Sequence, residues 1–312
     1  MVVLIKICNK DMALRDFDTP SLQVRESIQI LVRSENRNKV AVWVEGKDWR
    51  FYNKFFKCDK VLQVGRINGH TGNSVIEGYT EFKKQCPNRL AIVIKDADFK
   101  RLEGEPLDED ANVFYADGHD HEMMCMKQKE VRQCVLDTFV VDEDVNLFYD
   151  GVFQELEMLS YFKWYNVHHK CGYSLKDHPS VYQTETALLN DFTWIENNTY
   201  DVSLGKRKKN NPDPTQVTLE HINPTEVEKF MLDKKLMYPD KYELTNGHDF
   251  VNRLNRKLKP YIKSLKLNIS DEEGLKNTIY PSFTHEAFRQ TNLYVSLRAW
   301  CERNQTDILR ES

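Results

Sequence analysis

The chain has 312 residues, enough for a substantial buried core in one large domain or two. Its formal net charge of −4 excludes a broadly basic nucleic-acid coat, so any grip on phosphate must come from a local basic patch. No apolar run is long enough for a membrane span, and Lys6, Lys10, Asp11 and Arg15 break any signal-peptide pattern. Seven cysteines without framework spacing predict free thiols in a reducing compartment, with the cytoplasm as the expected location.

In chain order, Val2–Ile7 is a short apolar start, read as an edge strand or part of an interface. Ser21 stands in an N-cap position before Leu22, Val24, Ile28, Leu31 and Val32, which recur near helical spacing. Asn36–Lys39 is the turn into a first central strand, Val40–Val44, which ends on Glu45-Gly46. The glycine permits a tight turn into a helix capped by Asp48 and carrying Trp49, Phe51, Tyr52, Phe55 and Phe56. Lys60–Val64 reads as the next strand. Asn68–Asn73 is a glycine-rich turn before a helix from about Ser74 to Gln85; lacking the Lys-Ser/Thr of a P-loop, it reads as a plain turn rather than a phosphate cradle.

Pro87-Asn88 breaks that helix before the strand Leu90–Ile94, which runs into Asp96 and Asp98. The short apolar run Val113–Tyr115 then leads into Asp117-Gly118-His119-Asp120-His121-Glu122. This alternation predicts an α/β fold with a parallel sheet flanked by helices. Beyond Glu122 the pattern is mainly helical, with Phe153, Leu156, Leu159, Phe162 and Trp164 as core candidates. Gly205–Pro212 reads as an exposed loop, Pro224 opens a helix, Leu254–Leu267 is a basic segment, and Ser282 caps one final helix reaching Trp300. The division expected is 1–38, packing on the core; 39–125, the α/β domain; and 126–312, the mainly helical region.

Three strands that each finish in carboxylates suggest one edge of a parallel sheet, where the carboxyl ends of strands form a ligand crevice. Crowded carboxylates repel one another unless a hard divalent cation neutralises them, and oxygen ligands suit Mg²⁺ or Mn²⁺. A lone Glu45 would be read as a capping or surface group; Asp96 and Asp98 on a separate strand favour a metal-dependent phosphodiester site. Asp120 and Glu122 are candidates for further metal ligands, against the alternative of acids answering a helix dipole. Lys47 and Lys95, beside site residues, are candidates to touch a scissile phosphate. Lys206–Lys209 and the run Arg253–Lys266, with Arg256, Lys257 and Lys259, are candidates for the phosphate backbone. His168-His169-Lys170-Cys171 with His178 matches no four-ligand zinc spacing and reads as structural or surface histidine.

Val44-Glu45-Gly46-Lys47-Asp48 with Phe51-Tyr52, then Asp96-Ala97-Asp98-Phe99, then Gly118-His119-Asp120-x-Glu122, resembles the Toprim fold and, more narrowly, its DUF4435 branch. That branch includes the effector nuclease of the PARIS anti-phage system, and Asn246-Gly247-His248-Asp249 also fits it. The resemblance covers roughly residues 36 to 125 well and 126 to 260 loosely. It implies Glu45 as general base or acid, with Asp96 and Asp98 holding Mg²⁺. It further implies an antiviral role, an ATPase partner that restrains or releases the chain, dimerisation, and RNA, possibly tRNA, as target. Topoisomerase and primase activities are disfavoured, because neither a domain supplying a catalytic tyrosine nor a zinc-binding module is recognisable. The competing class is a non-catalytic binding or regulatory subunit of a larger ATPase complex.

Overall fold

The computed structural model describes residues 28–45, 48–64, 73–105, 110–175, 186–211, 213–267, 269 and 271–311. The apolar start at Val2–Ile7, the Ser21 cap, Gly46, Lys47, most of the Asn68–Asn73 turn and His178 lie outside them. By compactness the chain forms two units. The first holds the residues up to Lys95 with Asp110–Phe114 and Arg298 onward; the second holds Asp96–Glu109 and Tyr115–Leu297. The division falls at Lys95/Asp96, within the expected 39–125 domain.

The first unit carries the sheet. Its strands are β1 (Val40–Val44), β2 (Val61–Val64), β3 (Ala91–Lys95) and β4 (Val113–Tyr115), in the spatial order β2-β1-β3-β4. β1 runs parallel to both β2 and β3, with Val44 opposite Ile94. All five residues of β1 and of β3 are buried, the continuous apolar reading of strands covered on both faces. Helix α1 (Asn73–Gln85) supplies Val75, Tyr79 and Phe82 to a core with Leu31, Ala41, Trp43, Ala91 and Val93. The Arg89 guanidinium donates to the carbonyls of Leu31, Asn36 and Lys39, closing the turn before β1. After β1, Trp49–Tyr52 and Asn53–Phe55 bury Phe51, Tyr52 and Phe55, and Phe56 pairs in antiparallel fashion with Leu309 near the C-terminus.

The second unit is helical. It contains α2 (His121–Lys127), α3 (Lys129–Thr138), α4 (Val145–His168), α5 (Phe192–Lys209), α6 (Pro224–Lys235), α7 (Gly247–Ser264), α8 (Glu272–Ser282), α9 (His285–Arg289) and the first half of α10 (Asn292–Arg303). The 24-residue α4 is its spine, packing against α3, α5, α6 and α7. Asp144 caps it by accepting from the amides of Asn146 and Leu147, and Phe148, Val152, Leu156, Leu159 and Phe162 line its buried face. α7 answers with Phe250, Val251, Leu254, Leu258 and Ile262, apolar at helical spacing; Phe153 and Phe250 meet with ring centroids 4.7 Å apart.

Two sequence expectations change here. Gly205–Pro212 is not a loop from its start: α5 continues through Lys209. Arg207 holds this end by donating to the carbonyls of Gly172 and Thr218, a tertiary tie that local composition does not reveal. The single final helix expected from Ser282 to Trp300 is instead two, α9 and α10. Ser282 ends α8, the Thr284 hydroxyl caps α9 by accepting from Ala287 N–H, and α10 restarts at Asn292. Asp117, far upstream, receives the amides of Asn292 and Leu293 and so provides the new start.

Candidate functional site

The strand ends come first. β1 and β3 are hydrogen-bonded neighbours pointing the same way, and the register sets Glu45 level with Lys95, one residue before Asp96. Glu45 is half-buried at a bend. Lys95 closes β3 and is buried, and Asp96 follows with its side chain 24% exposed. The chain then leaves the strand: Ala97 is buried, while Asp98 takes a left-handed φ of 47° and is exposed. Its N–H donates to His119 O at 2.8 Å, so the backbone of Asp98 is held while its carboxylate stands at the surface. Aspartate is among the residues that tolerate this conformation.

The stretch Asp117–Glu122 is built differently. The two carboxylate oxygens of Asp117 accept from Asn292 N–H at 2.8 Å and Leu293 N–H at 3.0 Å. Asp120 caps α2 by accepting from Met123 N–H at 3.0 Å, and its other oxygen accepts from Gly247 N–H at 2.6 Å. A side chain at Gly247 would stand 2.2 Å from Asp120 Oδ1, so the glycine permits this approach. Orphan amides at three helix starts thus engage Asp117 and Asp120, the second of which the sequence leaves open as a metal ligand.

Glu122 lies at the centre of a buried ionic cluster. Lys276 Nζ is 2.6 Å from its Oε1 and 2.5 Å from Glu272 Oε1, and Tyr280 O–H donates to Glu122 Oε1 at 3.0 Å. Burial opposes the Glu122 charge, but the charges of His121 and Lys276 prevail and hold its carboxyl well below the usual range. Burial likewise opposes charge on Lys276, and Glu122 and Glu272 raise it nonetheless. His248 Nδ1 is 2.5 Å from Glu272 Oε1; against burial, that bond and the Glu122 charge raise the imidazole to about 9. Glu272 is lowered to about 2, burial being outweighed by His248 and Lys276. Glu122, His248 and Glu272 converge closely enough to hold a metal, and the Lys276 ammonium lies against both carboxylates and 3.2 Å from His248 Nδ1.

His121 links this cluster to Asp96. Its Nε2 is 2.9 Å from the Tyr280 oxygen, and its Nδ1 is 3.9 Å from Asp96 Oδ1 and 3.3 Å from Glu122 Oε2. Sequence reasoning passed over His121, His248, Glu272, Lys276 and Tyr280 as site residues. Glu272, Lys276 and Tyr280 recur at four-residue spacing, which puts them on one helix face, but nothing local ties that face to Glu122.

Of the basic candidates, Lys257 is committed within the fold: its ammonium donates to Phe148 O at 3.1 Å and lies over the Phe148 ring. Arg253 is buried and pairs with Glu155, whereas Lys259 and Lys263 are exposed and Arg256 is half-exposed. Lys208 and Lys209 are exposed at the end of α5. His168 pairs with Glu103 at 2.7 Å, in keeping with a structural histidine. Among the described residues, no helix is long and apolar enough to cross a membrane. Scans of this chain against protein-family models, curated proteins and solved structures give no match. What the fold and site define is an α/β protein whose adjacent parallel strands end in carboxylates.

Proposed function

We propose that this chain is a metal-dependent phosphodiester hydrolase acting on nucleic acid, RNA in preference, with Mg²⁺ or Mn²⁺ as its ion. One observation carries the reading: the first carboxylates beyond β1 and β3, adjacent parallel strands, are Glu45 and Asp96. Ligands of open α/β sheets gather at the carboxyl ends of their strands. Asp96 and Asp98 would hold the ion, and the donor set fits one: Asp96 is partly exposed, Asp98 is exposed, and both offer hard oxygens. A bound divalent ion supplies charge neutralisation and a polarised water. Glu45 is assigned the proton: as water oxygen joins phosphorus and the ester P–O bond breaks, Glu45 takes the water proton and returns it to the leaving oxygen.

The resemblance to the DUF4435 branch extends the proposal to an anti-phage effector, cytoplasmic and dimeric, restrained by an ATPase partner and directed at tRNA. A second reading, a non-catalytic binding or regulatory subunit, draws support from the engagement of Asp117, Asp120 and Glu122 within the fold. The purified chain, incubated with RNA and DNA in Mg²⁺, Mn²⁺ or EDTA, separates the two. Metal-dependent cleavage lost in Glu45→Gln and Asp96→Asn is expected. No cleavage of either polymer under any metal, with or without an ATPase partner, would favour the binding subunit.

A further inference from the structure

We propose that Arg132, with the Tyr242 hydroxyl beside it, binds a phosphoryl group without the help of a metal ion. The observation behind this is a buried arginine that has no acid. Arg132, on α3, keeps only 8% of its surface exposed, yet among the described residues it forms no ion pair. Arginine is rarely buried unless paired, because a desolvated charge without a counter-charge is costly. Its Nη1 donates to Met126 O at 2.6 Å, to Lys127 O at 3.1 Å and to the Tyr242 hydroxyl at 2.7 Å. The two carbonyls close α2, where a helix carries partial negative charge. They solvate the guanidinium without neutralising it.

The other edge of the guanidinium is open. Nη2 has only a 3.5 Å approach to Asn146 Oδ1, and Nε meets no acceptor among the described residues. Nε and Nη2 together form a fork that matches two oxygens of a phosphate or carboxylate. The Tyr242 hydroxyl accepts from Nη1, and among the described residues nothing takes its own proton, which leaves a third donor beside the fork. Asp150 and Asp240, the acids whose charge reaches Tyr242, are paired with Lys241 and Lys127 in turn. Arg132 is therefore the cation left without a counterpart. Lys241 also lies over the Tyr242 ring, 5.5 Å from its centroid. A carboxylate would occupy the fork alone. A phosphoryl group brings a third oxygen for the tyrosine and a larger charge, which the flanking lysines suit.

The test uses the full chain in EDTA at low ionic strength, with inorganic phosphate as the probe and acetate as the carboxylate control. Calorimetry should show saturable phosphate binding, with acetate weaker. Arg132→Lys keeps the charge but loses the fork, and should abolish binding. Tyr242→Phe keeps the ring and removes one donor, and should weaken phosphate about tenfold. It also keeps the idea testable should Arg132→Lys fail to fold, which circular dichroism reports. No phosphate binding, binding matched by acetate, or affinity unchanged in Tyr242→Phe would overturn the assignment. Competition then separates two sources of the same group. RNA that displaces phosphate assigns the site to nucleic-acid backbone, whereas a nucleoside monophosphate that does so where RNA does not assigns it to a small ligand; either bears the proposal out. Cleavage has no part in the readout, so failure of the hydrolase reading and failure of this site are distinguishable.

Discussion

Asp96 and Asp98 follow β3, and Asp117, Asp120 and Glu122 follow β4. The first two retain solvent exposure, Asp96 partly and Asp98 fully; the other three are buried. Asp117 and Asp120 receive backbone amides at helix starts, and Glu122 receives a lysine and a tyrosine. Two acidic stretches of similar sequence therefore do different work, one presenting charge and the other balancing it. A carboxylate's neighbours in space, rather than its position after a strand, decide which. Substitutions should separate the two groups by their cost to stability.

The largest effect is expected at Lys276. Lys276→Met leaves the buried Glu122 facing Glu272 without the shared cation, and breaking a buried ion pair from one side costs about 3–5 kcal/mol. Urea unfolding of this variant measures it, and a change near zero would mean that Glu122 is neutral or otherwise compensated.

Gly247→Ala comes next. Its Cβ would meet Asp120 Oδ1 at 2.2 Å and Glu122 Cβ at 2.5 Å, and crowding of this kind costs about 1–3 kcal/mol. Asp120→Ala should cost about 1–2 kcal/mol as a lost cap. Because the two residues touch, the double variant should fall short of the sum; additive losses would uncouple them.

A smaller change is expected with pH. His248, raised from 6.5 to about 9, contributes stability that is complete below 6.5 and is lost as pH rises through about 9. Glu272, lowered from 4.5 to about 2, contributes above 4.5 and loses its share as pH falls through about 2. The pair therefore supports the fold most fully between these two ordinary values. Melting temperature followed from pH 6 to about 10 should decline less in His248→Gln than in the parent, and parallel curves would discount the pair.

The smallest effect on stability belongs to the strand-end acids. Asp98→Asn and Glu45→Ala should stay within about 0.5 kcal/mol of the parent while abolishing cleavage or cell toxicity. Full activity would remove the residue from the mechanism, and a large fall in melting temperature would place it with the buried acids.

Much of the sheet was legible locally. Val40–Val44 and Leu90–Ile94 are unbroken apolar runs between turn signals, and the structure places strands at Val40–Val44 and Ala91–Lys95, with a helix at Asn73–Gln85 between them. A buried parallel strand needs apolar residues on both faces, which leaves a mark within five residues. Helix ends were less legible where their caps come from far along the chain. α5 is tied at its end by Arg207 to the carbonyls of Gly172 and Thr218, and α10 begins where Asp117 meets its first amides.

The sequence by itself also determined that Glu45 and Asp96 would follow strands, because a strand end and the residue after it are local facts. It could not determine which acids of Asp117–Glu122 would be engaged. Asp120 meets Gly247 and Glu122 meets Lys276 across more than a hundred residues of chain, and no periodicity records such a meeting. Charge balance in a buried cluster is a property of the packed arrangement, because burial makes every unpaired group costly and only the folded chain supplies the pairs.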